Sequence, residues 1–203
     1  MIDSRPRSRA RALALLFLPL ALAGCGTSGS SQSGTGGSFT FLTVDLFSLS
    51  GATPVSSVNS FLDDNATSTV VCVTLRNNLK NPGVTAPTTL DNVIIRTYTV
   101  SITRLDGGPP PGPFTFNTAF LVPAGVISGT PPAATGNTAR VAIILVPAQA
   151  KNEPPLRPFP KLPLNATAEV IFKGENARGE TLEARGAITL TFLVEAKDTA
   201  AAC

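Results

Sequence analysis

The segment Asn92–Leu105, NVIIRTYTVSITRL, alternates apolar and polar side chains with a period of two. That period belongs to a strand buried on one face, because successive side chains of a strand point to opposite sides. It places Ile94, Tyr98, Val100 and Ile102 on one face and Thr97, Thr99, Ser101 and Thr103 on the other. Six further runs share the habit: 39–49, 67–77, 114–122, 139–146, 166–175 and 186–196. In the run 67–77, Val71, Val73 and Leu75 share one face, while Val70 and Cys72 share the other.

Turn chemistry separates these runs. LDGGPPPGP (105–113), PAGVISGTPPAATGN (123–137) and ENARGE (175–180) carry the Gly, Pro and Asn that reverse a chain. Seven short strands without a convincing helical pattern predict an all-β fold, an antiparallel β-sandwich of about seven strands with immunoglobulin/fibronectin-like connectivity. One helical turn is expected within PVSSVNSFLDDN (54–65). The proline-rich stretch 147–166 suits an extended, stiff crossover between the sheets.

Charge narrows the function classes. The formal net charge is +3, but Arg5, Arg7, Arg9 and Arg11 all precede Cys25, against the single acid Asp3. From Cys25 onward acids and bases balance, so no electrostatic case for nucleic acid remains. Histidine is absent, which excludes Ser-His-Asp and Cys-His nucleophile systems and the commonest zinc sites. The acids are scattered over predicted strand edges and turns. Asp63, Asp64 and Asn65 are adjacent oxygen donors, but Ca²⁺ takes six to eight ligands, so a turn is the better reading. Asn65-Ala-Thr and Asn165-Ala-Thr match the glycosylation sequon. These residues predict no enzyme, no cofactor and no metal site.

The amino-terminal residues carry an address. A basic segment (1–11) is followed by twelve residues, ALALLFLPLALA, Ala12 to Ala23. As a helix they span roughly 18 Å, short of the ~30 Å hydrocarbon core. That length fits the apolar part of a cleaved signal peptide. The run ends in Leu22-Ala23-Gly24-Cys25, which resembles the lipobox of bacterial lipoproteins. The resemblance implies recognition of Leu22, Ala23 and Gly24 by the signal peptidase, a diacylglyceryl thioether on Cys25, cleavage before it and a palmitoylated new amine. Gly26, rather than Asp, implies outer-membrane sorting if the host is Gram-negative.

Residues 26–38, GTSGSSQSGTGGS, read as a flexible tether with an end-to-end distance of roughly 20 Å. The expected organisation is therefore a signal peptide (1–24), an acylated Cys25 with its tether (25–38) and a sandwich domain (39–203). With its TLRNNLKNPG and DNVIIRTYTVSITRLDG stretches, the chain is similar to bacterial lipoproteins that pair a lipobox with an immunoglobulin-like domain. The resemblance implies a lipid-anchored, non-enzymatic domain that binds or scaffolds an envelope protein or glycan. The alternative is a periplasmic subunit carrying a small ligand or metal for a transporter or redox system. Cys72 and Cys203 leave two readings open, a small buried hydrophobe beside a tail thiol or a bridge formed after export.

Overall fold

The computed structural model describes residues 31–33, 39–50, 53–81, 87–128, 133–135, 137–158, 161–194 and 203. The described residues form twelve strands: β1 (Ser31–Ser33), β2 (Thr40–Ser50), β3 (Thr53–Val55), β4 (Ser57–Phe61), β5 (Thr69–Leu79), β6 (Val93–Arg104), β7 (Phe114–Val122), β8 (Ala124–Ser128), β9 (Ala133–Thr135), β10 (Thr138–Val146), β11 (Leu164–Asn176) and β12 (Thr181–Leu193). The seven runs of alternating residues are β2, β5, β6, β7, β10, β11 and β12. Two sheets face each other. The first runs β1–β12–β11–β6–β7, with β4 also against β12; the second runs β3–β2–β5–β8–β9, with β10 also against β5.

The seven long strands pair antiparallel with their neighbours, and the all-β sandwich follows from them. The short additions bring two parallel pairings, β4 with β12 and β8 with β5. One buried cluster fills the space between the sheets. Val71, Val73 and Leu75 of β5 contribute from one side, Val170, Phe172, Leu190 and Phe192 of β11 and β12 from the other. Tyr98 ties the layers together. Its ring lies 4.9 Å from that of Phe116 and 5.8 Å from that of Phe172. Its hydroxyl accepts a 3.1 Å hydrogen bond from Ile144 N in the opposite sheet.

Four local expectations change. In β6, Arg96 is skipped in the backbone register with both neighbouring strands, which passes from Thr97 to Ile95, although its side chain reaches Glu175 of β11 at 3.3 Å. Such a bulge reverses parity, so Ile95 rather than Ile94 enters the core, fully buried. The slip is built around Gly174, where a Cβ would stand 2.6 Å from Ile94 O. The stretch 54–65 holds no helical turn: β4 alternates exposed and buried residues and pairs with β12. The short 3₁₀ turns are instead Thr89–Asp91 and Gln149–Asn152.

The second of these turns lies in the proline-rich stretch, which is therefore not one extended crossover. It folds back through hydrogen bonds from Ala150 N to Pro147 O and from Leu156 N to Glu153 O, each 3.0 Å. The gain is burial of Lys151 and Leu156, both fully inaccessible. Finally, Ser31–Ser33, within the span read as a tether, pairs with Arg185–Glu183 at the outer edge of β12. Strand β4 covers the rest of that edge, from Thr189 to Leu193.

Candidate functional site

The sandwich has an entry end, where β2 begins and the β11–β12 hairpin turns, and a far end holding loops 62–68, 105–113 and 147–163. The described parts of segments 78–91 and 123–138 meet at the entry end, where Asn77 donates to Asp91 O and Asn137 to Asn78; 105–113 lies at the far end.

Buried polar side chains close the entry end. Asn77, Asn78, Asp91 and Asn137 are all at least 97% inaccessible. Asn77 Nδ2 donates to Asp91 O at 2.8 Å and to Val122 O at 3.4 Å. Asn137 Nδ2 donates to Asn78 Oδ1. The Asp91 carboxylate accepts from Thr88 N (3.0 Å), Thr88 Oγ1 (2.7 Å) and Arg178 Nε (3.0 Å). Burial alone would push its pKa up; the Thr88 and Arg178 hydrogen bonds and the Arg178 charge outweigh it and hold the group below its ordinary value. Among the described residues Asn77 Oδ1 is buried without a hydrogen-bond partner. The cap is a structural joint between loops, with every charge matched.

The far end carries a groove. Its volume is about 330 Å³, and its lining includes Leu105, Asp106, Lys161, Leu162, Pro163 and Asn165. Leu105 is 68% exposed, whereas Leu162 leans against the core. Arg104 shapes the wall. Its guanidinium forks onto Asp106 at 2.9 and 2.5 Å and donates to Pro109 O at 3.3 Å. Asp106 in turn accepts from Gly108 N at 3.1 Å. A Cβ on Gly108 would fall 2.5 Å from the guanidinium carbon, so a side chain there would push the Arg104 head out of its present place. Leu105 N donates to Asn165 O at 3.0 Å, joining the two walls.

The hydrogen bonds from Arg104, then that from Gly108 N, pull the Asp106 carboxyl down to about 2. So acidic a group stays ionised at neutral pH and is a poor proton acceptor. The cleft thus combines an apolar lining with one fixed carboxylate and one lysine, the mix of surfaces found in ligand pockets.

The loop 62–68 meets a cation from within the chain. Lys151 Nζ donates to Asp64 O at 3.2 Å and to Thr67 O at 2.8 Å. Two of the backbone oxygens that a Ca²⁺ ion would use there already face an ammonium. Among the described residues no group of three or more His, Cys, Asp or Glu is placed to hold a metal ion.

Leu22, Ala23, Gly24, Cys25 and Gly26 lie outside the described residues. Among the described residues no helix is long and apolar enough to cross a membrane. Cys72 and Cys203 are joined by a disulfide with Cα atoms 5.7 Å apart. Cys72 sits opposite Phe47 and Ala142, on the face of β5 turned away from the inter-sheet core, so the chain terminus lies over the outside of the second sheet. The polar face of β6 is on the outside of the first sheet, with Thr99 and Thr115 hydroxyls 3.1 Å apart. Asn165 accepts from Thr191 Oγ1 at 3.1 Å. Lys161 of the groove is marked by no sequence motif and Asn165 only by its sequon, and neither is tied to Leu105 in sequence, because they lie over fifty residues from it. No protein-family model matches the chain, and no curated protein matches it significantly in sequence.

Proposed function

We propose that the protein is a lipid-anchored component of the bacterial envelope whose sandwich holds a protein or glycan partner at its far-end groove. The observation that carries this reading is the far-end groove itself, an apolar cleft of about 330 Å³ with the Asp106 carboxylate fixed in its wall by Arg104. The leader and lipobox support the anchor, and the balanced charge of the remaining chain supports a partner other than nucleic acid.

Metabolic labelling with palmitate tests the anchor: the wild type incorporates label and the Cys25→Ser variant does not. An unlabelled wild type refutes it. A photo-crosslinking residue at Leu105 tests the groove. One discrete envelope adduct is expected from this position and none from Thr167, on the outer face of β11. The groove's volume also supports a second reading, a periplasmic carrier of a small ligand. Native mass spectrometry of the purified protein separates them, since a carrier retains a small-molecule adduct that Leu105→Glu removes.

A further inference from the structure

The polar groups of the far-end groove are not equally free. The Arg104 side chain is only 7% exposed, and its guanidinium is committed to Asp106 and to Pro109 O. Asp106 Oδ1 accepts from Arg104 Nε and Gly108 N, and Oδ2 accepts from the second arm of the fork. These two charges cancel within one pair. Lys161 differs: it is exposed, and among the described residues no ion pair or hydrogen bond engages its ammonium. The one unmatched charge of the lining side chains is therefore a cation.

Asn165 shares that character. Its Oδ1 accepts from Thr191 Oγ1 at 3.1 Å, which leaves the Nδ2 hydrogens as its uncommitted polar groups. An ammonium and an amide nitrogen only donate, so the free polar atoms of the lining side chains all call for an acceptor. Beside them the surface is apolar. Leu105 is 68% exposed, Pro163 is exposed and Leu162 rests against the core. The bond from Leu105 N to Asn165 O holds the apolar wall next to the amide. No aromatic ring is among the described lining residues, so a sugar finds no flat face to stack on. At about 330 Å³ the groove stands at the small end of ligand pockets, roughly 300–1,000 Å³, which suits a short stretch of chain.

We infer that the groove takes an extended segment of a partner protein in which an Asp or Glu lies beside an apolar side chain: the apolar group covers Leu105 and Leu162, and the carboxylate accepts from Lys161 and Asn165. This role rests on the groove binding proposed above and narrows its partner from protein or glycan to one kind of protein segment. An ionised carboxylate only accepts and takes several donors at once. Apolar burial supplies the affinity, and the charge selects the partner.

Random peptides displayed on phage are selected against the purified protein, and those that fail to bind Leu105→Ser are kept as groove binders. They should carry Asp or Glu next to an apolar residue. Lys161→Gln should weaken them several-fold, and Lys161→Glu should abolish their binding while accepting the same peptides with Lys in place of the acid. Groove binders that tolerate Asn or Gln for the acid, or that ignore Lys161→Gln, overturn the carboxylate and leave the groove reading standing. No peptide that depends on Leu105 overturns the inference; if the Leu105 photo-crosslink in cells is absent as well, the groove reading falls with it. A crosslinked adduct destroyed by periodate but not by protease assigns the groove to a glycan, which also overturns the inference. Leu105 and Lys161 are both exposed, and unchanged thermal unfolding of the variants establishes that the comparison is made on the native fold.

Discussion

The two ends of the sandwich solve the same problem with opposite chemistry. Each must cover the backbone groups exposed where strands stop. The entry end uses amides and a carboxylate, Asn77, Asn137 and Asp91, with Arg178 closing the charge from outside. The far end uses a fully buried ammonium, Lys151, that donates to the carbonyls of Asp64 and Thr67. A buried charge is costly unless hydrogen-bonded, and both ends meet that condition. The difference is in what remains outside. The entry cap is closed by hydrogen bonds that cross between its loops, whereas the far end stacks a proline-rich loop beside a second one and leaves a groove between them. Closure at one end and an opening at the other is the asymmetry that leaves the far end free for a partner.

The largest expected effect concerns the half of the molecule nearer the far end. The Cys72–Cys203 bridge spans 131 residues, and closing so long a loop in the unfolded chain contributes about 2–5 kcal/mol. Reduction, or Cys203→Ser, should lower stability to urea by that amount. Amide exchange should quicken first around Cys72, Phe47 and Ala142, while the amides of Asn77 and Asn92 hold. Uniform quickening would mean that the two ends are one cooperative unit.

Next comes the buried lysine. Lys151→Ala leaves two carbonyls unpaired and a void where the stem was, a loss of about 3 kcal/mol by urea unfolding. Lys151→Met refills the void and should recover part of it. Recovery of the whole would assign the stabilisation to the stem and none to the ammonium.

Acid should reverse the order of the ends. Asp91 has a folded pKa below its ordinary value. Its contribution is therefore complete above the unfolded carboxylate value of about 4 and disappears as pH falls through the lower folded value. Lys151 faces carbonyls, which do not titrate in this range. On acidification the Asn77 and Asp91 amides should lose protection while Lys151 and Leu156 retain theirs. Asp91→Asn should cost about 1–2 kcal/mol at neutral pH and flatten the acid limb of the stability curve.

How far such contrasts can be read from sequence depends on the kind of residue. The long strands were legible because period-two alternation records burial directly, as in Tyr98, Val100 and Ile102. The bulge at Arg96 was not, since Ile94 and Ile95 are chemically alike and the choice between them is made by Gly174 on another strand. Strand β1 was hidden because Ser-Gln-Ser has no apolar pattern; a backbone edge recruits it. Both caps were invisible for a common reason. Asparagines at a strand end or in a loop, and a lone lysine, read as solvated, and only the packed fold shows which of them lie inside. Of the groove, the 105–113 wall was marked as a rigid loop, while its opposite wall, Lys161–Asn165, depends on the pairing of β11 with β6.

The smallest effect separates order in the groove wall from stability of the fold. Arg104 is nearly inaccessible and forks onto the half-exposed Asp106, so the pair fixes a surface loop and bears little on the core. Arg104→Lys keeps the charge but gives up the planar fork, and Gly108→Ala drives a methyl into the guanidinium. Both variants should unfold at the wild-type temperature. Both should raise the exchange rate of the Gly108 amide several-fold, because Asp106 Oδ1 no longer holds it, and both should weaken the Leu105 crosslink. The same variants should leave exchange of the entry-end Asn77 amide unchanged. If Gly108→Ala instead quickens exchange at Asn77, the far-end loop and the entry cap are coupled through the sandwich, and the division of the molecule into a closed end and an open one fails.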